Sequence, residues 1–221
     1  MHFQFLIEDQ SGKALIDAIM PKLQAGNASV TYDSKFFKGI GGFTKKNTVK
    51  ETKTGKLLND LAIYLRGFNK SLQCFGFEAV VIVILDNDDH DTAIFHAKLE
   101  DIASKNGISI DHLFCIAVEE MEAWLLGDEA ALLAAYPQAK QGMLHSYVQD
   151  SICGTWEFLA DVIYPGGHNK MKRDCPSYIE IGKTKSEWAH NIGENMNLSN
   201  NKSPSFRYFH NEISRRILPE S

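Results

Sequence analysis

The chain has 221 residues, of which 44% are hydrophobic and 23% are charged, the composition of an ordinary globular protein with a sizeable core. Its longest uninterrupted apolar run, residues 79–85, is too short to cross a bilayer, and the N-terminus lacks a basic region followed by an apolar stretch. The four cysteines are widely spaced and include no C-x-x-C pair. We therefore expect one elaborated cytoplasmic domain with reduced thiols and no membrane partner.

The charges are segregated along the chain. The formal net charge of -5 argues against a nucleic-acid partner, because phosphate affinity comes mainly from Lys and Arg. Residues 35–70, however, hold nine Lys and Arg against two acids, and residues 170–216 hold nine against five. Between them, residues 86–129 hold twelve acids against two Lys. An acidic centre between basic arms suits a metal site that acts on a polyanion, and chance segregation of solvated faces is the alternative.

The first third of the chain is predicted to alternate between strand and helix. Residues 3–7 form a short buried strand that ends at Glu8 and Asp9. Ser11 is a candidate N-cap for the helix that follows, whose apolar residues recur at helical spacing. Residues 28–32 are then predicted to form a second strand.

The middle of the chain holds its clearest strand pattern. Residues 38–53 are rich in Gly, Lys and Thr and are predicted to form a mobile loop, after which Thr54 caps an amphipathic helix. Residues 79–85 are seven apolar residues stopped by a polar turn, the pattern of a parallel strand that is buried on both faces. Residues 90–106 are predicted to form a crossover helix that Gly107 terminates.

The remaining elements are one more strand and several helices. The strand covers residues 112–118, and an acidic helix follows it at residues 119–126. Three further helices are predicted at residues 156–163, 185–196 and 206–217. This alternation predicts an α/β fold with a doubly wound parallel sheet of about four strands flanked by helices. We assign residues 1–136 to the core that carries the sheet and residues 137–221 to a mainly helical C-terminal extension packed on the same domain.

Acidic residues follow each of the three most informative strands. Open parallel sheets bind their ligands beyond the carboxyl ends of the strands, so these acids are predicted to share one edge of the sheet. They are Glu8 and Asp9; Asp86, Asp88, Asp89 and Asp91; and Glu119, Glu120 and Glu122. Crowded carboxylates resist ionisation unless a cation neutralises them, and Mg2+ or Mn2+ is the natural choice because both prefer oxygen ligands.

The individual acids differ in how strongly they indicate a metal site. Asp86 and Asp88 form a D-x-D in the turn after a buried strand, a pattern that also occurs in acid-rich surface turns. Glu119 and Glu120 are equally explained by the favourable interaction of acids with a helix N-terminus. Glu122 lies in a more apolar stretch where a carboxylate needs a partner, so it is predicted to be a third ligand or an orienting group.

Two other features of the sequence bear on binding sites. The glycine pair at residues 166–167, followed by Lys170, indicates either a phosphate-contacting loop or a solvated basic turn. The histidines show no ligand spacing, so no zinc site is predicted.

Four blocks of the chain resemble the TOPRIM domains of topoisomerases, primases and OLD-type nucleases. They are F-L-I-E-D-Q-S at 5–11, I-V-I-L-D-N-D at 82–88, E-E-M-E-A-W-L-L-G-D at 119–128 and S-P-S-F-R-Y-F at 203–209. More specifically, they resemble a prokaryotic TOPRIM-like family catalogued as domain of unknown function 4276. The resemblance implies a TOPRIM-like, Rossmann-like sheet, and it often goes with an ATPase partner and a role in anti-phage defence.

The resemblance also implies roles for particular residues. Glu8, Asp86 and Asp88 would bind the metal, and Glu122 would be the further catalytic acid. A motif near the site would contain Ser205 and Arg207. The chain departs from the family pattern after its first acid, because such families usually carry Gly at the position of Asp9.

The leading hypothesis is a Mg2+- or Mn2+-dependent nuclease or phosphodiesterase. Basic and polar residues would contact DNA or RNA, and the candidates are Lys45, Lys46, Lys170, Arg207 and Ser205. One alternative is a phosphatase of the haloacid-dehalogenase type in which Asp86 is phosphorylated. The other is a non-catalytic subunit that docks on an ATPase and uses its acids for structural ion binding or charge complementarity.

Overall fold

One parallel sheet organises the protein. The computed structural model describes residues 1–25, 27, 29–43, 54–74 and 78–217. The strands are β1 (His2–Ile7), β2 (Thr31–Phe36), β3 (Ala79–Asp86) and β4 (Asp111–Ala117), and they lie in the order β2-β1-β3-β4 with every pair parallel. This confirms the predicted α/β class and its four-stranded, Rossmann-like parallel sheet flanked by helices.

Helices connect the strands and make up most of the C-terminal half. In the described ranges they are α1 (Gln10–Gln24), α2 (Leu57–Gln73), α3 (Thr92–Lys105), α4 (Glu122–Leu126), α5 (Glu129–Ala135), α6 (Gln141–Leu144), α7 (Thr155–Ile163), α8 (Gly167–Asp174), α9 (Tyr178–Asn195) and α10 (Pro204–Ile217). No helix in these ranges is long and apolar enough to cross a membrane.

The sheet is buried on both faces along β1, β3 and β4, whose residues are largely apolar on both, whereas the edge strand β2 is mostly exposed. Alternate residues of β3 point to opposite sides, so Val80, Ile82 and Ile84 join one core cluster while Val81, Val83 and Leu85 join the other. The second cluster is covered by α2 and α3, and the first by α1 together with the C-terminal helices. The first cluster therefore draws residues from both the 1–136 and the 137–221 parts of the chain.

Helix α9 packs closely against α1. A Cβ atom at Gly193 of α9 would lie 2.9 Å from the Cβ of Ala18 and 3.0 Å from the Cδ1 of Leu15, so the absence of a side chain there permits the approach. Helix α10 adds Phe206 and Phe209, whose rings contact Trp124 of α4 at centroid distances of 5.4 and 5.2 Å. These contacts hold α9 and α10 against the same layer as α1.

Several predicted boundaries were wrong, and side-chain hydrogen bonds explain two of them. Asp9, rather than Ser11, is the N-cap of α1. Thr54 does not cap α2, because Thr54 and Gly55 donate their backbone N–H groups to the buried carboxylate of Asp60 in a turn before the helix. That turn leaves α2 to begin at residue 57.

Other differences concern where an element lies. The second strand runs three residues later than predicted. The acidic helix begins at Glu122, since Glu119 has a φ of 61° that no α-helix accommodates. The basic stretch after Gly166 and Gly167 is not a loop but helix α8. Of the predicted loop at residues 38–53, residues 44–53 lie outside the described residues.

Candidate functional site

Glu8 and Asp86 meet at the carboxyl edge of the sheet. Strands β1 and β3 are parallel neighbours, and the backbone N–H of Glu8 donates to the carbonyl of Ile84 at 3.0 Å. The Glu8 carboxylate then folds over the end of β3, where its Oε2 accepts the backbone N–H of Asp86 at 2.9 Å. The topology thus places two predicted metal-binding acids side by side.

Asn87 fixes the turn that carries Asp88. Asn87 is 1% exposed, and its Nδ2 donates to the His90 carbonyl at 2.7 Å and to Thr92 Oγ1 at 2.9 Å. Its Oδ1 accepts the backbone N–H of Glu119 at 2.8 Å. Asp88 N–H donates to the Glu119 carbonyl at 3.1 Å, and both residues have positive φ, 50° and 61°. These hydrogen bonds therefore hold the turns after β3 and β4 together, and the backbone is strained at both Asp88 and Glu119.

The neighbours Glu119 and Glu120 have opposite environments. The Glu119 carboxylate accepts the backbone N–H groups of Cys153, Gly154 and Thr155 at 3.0, 2.8 and 3.1 Å, which anchors the loop before α7. Burial by itself would raise the pKa of Glu119, but these hydrogen bonds and one from the Thr155 hydroxyl together lower it. Glu119 is thus a structural anchor.

Glu120 faces a buried environment instead. Its Oε2 accepts the backbone N–H of Trp156 at 2.7 Å. Burial and the nearby Glu122 raise the pKa of Glu120 to about 7, against the opposing influence of Lys185. Its carboxyl therefore titrates near neutral pH.

Glu122 and Lys185 form a buried ion pair. Glu122 is 1% exposed, and its Oε2 lies 3.3 Å from Nζ of Lys185 on α9. That oxygen has no properly oriented hydrogen-bond donor within the described part of the chain. Burial raises the pKa of Glu122, and Lys185 opposes the rise. Burial by itself would lower the pKa of Lys185, but Glu122 and Glu120 reverse that effect and keep the lysine protonated.

The acids around Lys185 act as one electrostatic group. Burial, with repulsion from Asp9 and Asp88, raises the pKa of Glu8 to about 7. Burial and the charge of Glu8 raise the pKa of Asp86 well above its ordinary value. Lys185 lowers the pKa of each. We call this set the carboxylate cluster, and its acids are Glu8, Asp9, Asp86, Glu120 and Glu122, together with Asp88, which is exposed and acts on Glu8.

The departure at Asp9 has a structural explanation. The Asp9 carboxylate accepts the backbone N–H of Gly12 at 2.8 Å and the hydroxyl of Ser11, which caps α1. Gly12 is needed there, because a Cβ atom would lie 2.7 Å from Ile7 Cγ2. Asp9 therefore fits the turn without obstructing it and adds negative charge to the carboxylate cluster.

The donor chemistry of the cluster suits a hard divalent cation. Its acids offer oxygen ligands, and among the described residues the buried Glu122 Oε2 has Lys185 as an ion-pair partner but no well-oriented hydrogen-bond donor. Among the residues that the structure describes, however, no three His, Cys, Asp or Glu side chains already stand in an arrangement that could hold a metal ion. In this conformation Lys185 compensates part of the charge of the described acids.

Other predicted site residues lie outside the cluster. Ser205 Oγ accepts the indole N–H of Trp124 at 2.9 Å, so it joins α10 to α4. Arg207 is exposed on α10, and Lys170 pairs with Asp174 on α8. None of these three is among the described groups that act most strongly on the pKa of Glu8, Asp86, Glu120 or Glu122. Lys45 and Lys46 lie outside the described residues.

Lys185 is the functional candidate that the sequence reasoning missed. A signal for it exists, because one face of α9 repeats at helical spacing through Lys185, Trp188, Ala189 and Ile192. A lysine in line with buried apolar residues needs a buried anionic partner.

Comparisons of the chain with protein-family models, with curated proteins and with solved structures found no match. The assignment of a function therefore depends on the chemistry of the carboxylate cluster and on the motifs of the sequence.

Proposed function

We propose that the protein is a Mg2+- or Mn2+-dependent phosphodiesterase of the TOPRIM type that cleaves nucleic acid. One observation carries the proposal: acids from three separate strand ends gather around a single buried lysine. Burial, and after it repulsion between neighbouring acids, raises the pKa of Glu8, Asp86 and Glu120, which disfavours their ionised forms. A divalent cation among them would relieve that penalty and give the arrangement a chemical use.

The acids of the cluster and Lys185 would have different roles in the reaction. Glu8, Asp86 and Asp88 would hold the ion, which when bound would polarise the phosphate and lower the pKa of an attacking water. Glu122 positions Lys185, whose charge compensates the cluster at its buried side. Glu120 has a pKa of about 7, so it can accept or release a proton at neutral pH.

Basic residues outside the cluster would bind the substrate. Lys170 and Arg207, with Lys45 and Lys46 in the basic arm of the sequence, would counter the charge of the phosphate backbone. Ser205, whose hydroxyl accepts the indole N–H of Trp124, would be a further substrate contact on α10. An ATPase partner and a role in phage defence belong to the same proposal and derive from the motif resemblance alone.

Cleavage assays test the proposal directly. The protein is incubated with single- and double-stranded DNA and RNA in Mg2+, Mn2+ or EDTA. We expect cleavage that requires the metal and is abolished by Asp86→Asn, because this isosteric change removes a ligand charge. Asp89→Asn is the matched control, since Asp89 lies in the same turn with its side chain 87% exposed. Equal cleavage by Asp86→Asn would identify a contaminating nuclease and contradict the proposal.

A non-catalytic role is the alternative with an observation in its favour. Lys185 already compensates the acids, and no described group of side chains is prearranged around a metal. A subunit that uses the acids only for charge complementarity would show no Mn2+ binding by calorimetry, and one that binds an ion for structure would bind Mn2+ without cleaving nucleic acid. The enzyme would bind Mn2+, cleave, and lose both properties in Asp86→Asn. Turnover of an aryl phosphate, with a phosphorylated Asp86, would instead support the phosphatase alternative.

A further inference from the structure

A groove of about 450 Å³ opens between α7 and the start of α9. Its lining includes Trp156, Lys172, Pro176 and Tyr178. The groove thus combines two aromatic rings with a lysine. An ordinary solvated surface seldom exposes neighbouring aromatic rings to water.

Tyr178 is the most unusual residue of the groove. Its side chain is 95% exposed, and the adjacent Ile179 is 73% exposed. The backbone beneath it is nevertheless fixed, because Ser177 and Glu180 form a reciprocal capping box at the first turn of α9. A rigid backbone thus presents an aromatic ring that packs against almost nothing in the protein.

Trp156 links the groove to the carboxylate cluster. Lys172 Nζ lies 4.9 Å from the centre of its indole ring, and Lys185 Nζ lies 5.9 Å from it. Its backbone N–H donates to Glu120 at 2.7 Å. A ligand in the groove would therefore lie next to the lysine and the acids of the cluster.

Helix α8 lines the groove with one basic residue, Lys172. Within its eight residues it carries Lys170, Lys172 and Arg173 against the single acid Asp174. Lys172 pairs at 3.1 Å with Glu157, an acid that also lines the groove, and Arg173 of the same helix is exposed. Exposed aromatic rings combined with basic side chains match a strand that offers both flat bases and phosphates.

We propose that this groove binds single-stranded nucleic acid, with a base stacked on Tyr178 or Trp156 and a phosphate held by Lys172. Single strands fit because their bases expose faces for stacking, whereas a duplex buries those faces. The inference rests on the proposed function, since the groove would deliver the strand to the carboxylate cluster.

Fluorescence anisotropy tests the stacking. The probes are a labelled oligothymidylate of about twelve nucleotides and an abasic strand of equal length and charge, both in EDTA so that no cleavage occurs. We expect the oligothymidylate to bind more tightly than the abasic strand. Tyr178→Ala should weaken oligothymidylate binding about five- to one-hundred-fold and leave abasic binding unchanged. Tyr178→Phe should retain tight binding because it keeps the ring.

Tyr208→Ala is the control, because Tyr208 is a 44% exposed tyrosine on α10 outside the groove. The inference is overturned if both probes bind equally, if Tyr178→Ala behaves like Tyr208→Ala, or if a duplex of the same length binds at least as tightly as the single strand. Binding in EDTA does not require catalysis. Intact stacking without metal-dependent cleavage would therefore count against the enzyme and not against the groove.

Discussion

Acids at strand ends have two different uses in this protein. Asp9 and Glu119 accept backbone N–H groups with their carboxylates, at the cap of α1 and in the loop before α7, although Asp9 also adds charge to the carboxylate cluster. Glu8 and Asp86 instead lie in the buried group around Lys185. The sequence pattern placed all four at the right edge of the sheet, but it contains no information on which N–H groups fold back to meet them.

Replacement of Lys185 by Met should destabilise the metal-free protein by about 3–5 kcal/mol, because Glu122 would be left as a buried, uncompensated acid. Urea unfolding in EDTA measures the change. Lys183→Met is the control on the same helix, since Lys183 is exposed, and it should change stability by less than about 0.5 kcal/mol.

A second substitution distinguishes the stability that the charge of Lys185 contributes from the stability that its packing contributes. Adding Glu122→Gln to Lys185→Met should recover part of the lost stability, because it removes the uncompensated acid. Mn2+ should stabilise Lys185→Met more than the unchanged protein, since the ion would replace the missing positive charge. A loss of stability that neither change recovers would show that Lys185 matters for its packing alone.

The two acids in the turn after β4, Glu119 and Glu120, should make the stability of the protein depend on pH in opposite directions. The folded pKa of Glu119 is lowered, so its ionisation stabilises the fold above its unfolded pKa, and that stability is lost as the pH falls through the folded value. The folded pKa of Glu120 is raised to about 7, so its ionisation costs stability. That cost is absent below the unfolded pKa, grows as the pH rises and is complete above about pH 7.

Glu119→Gln should therefore lower the melting temperature at about pH 8, with the difference disappearing in acid. Glu120→Gln should raise the melting temperature at about pH 8, with the difference disappearing near pH 4.5, the ordinary value for Glu. Thermal unfolding in EDTA across this range measures both. Changes of the same sign in the two variants would contradict the assigned environments.

The close packing of α9 on α1 at Gly193 can be tested by substitution. Gly193→Ala should destabilise the protein by about 1–3 kcal/mol, because the new methyl group meets Ala18 and Leu15. Gly182→Ala is the matched control on the same helix, since nothing lies within 4 Å of its Cβ position, and it should stabilise by up to about 1 kcal/mol. Urea unfolding distinguishes the two, and a stabilising Gly193→Ala would show that α1 and α9 can separate without cost.

Elements with strong apolar patterns were predictable, and elements decided by local hydrogen bonds were not. The run before Asp86 identified β3 because both of its faces are buried. The edge strand β2 has a largely exposed, polar sequence, and its prediction was displaced. Helix α8 was read as a loop because its glycines and charges resemble a turn, and its only fully apolar buried side chain is Met171.

At the scale of the molecule, the site depends on where the C-terminal helices pack. The acids come from strand ends that local patterns locate, but Lys185 reaches them only because α9 lies over α1. That packing is set by surfaces distant in the chain, which a single sequence does not pair. The strand-end acids were therefore predictable, whereas their compensating cation was not.

The same dependence predicts that residues 1–136 do not fold alone. This fragment keeps all four strands but loses the helices that cover Trp124 and the first core cluster, so a large apolar face would be exposed. It also loses Lys185, which leaves Glu122 without its cation. We expect the fragment to show no cooperative thermal unfolding by circular dichroism and no dispersed amide spectrum by NMR, whereas the full chain shows both. A fragment with a sharp transition and dispersed amides would show that residues 137–221 form an accessory layer, and the sheet with α1 to α5 would then be the folding unit.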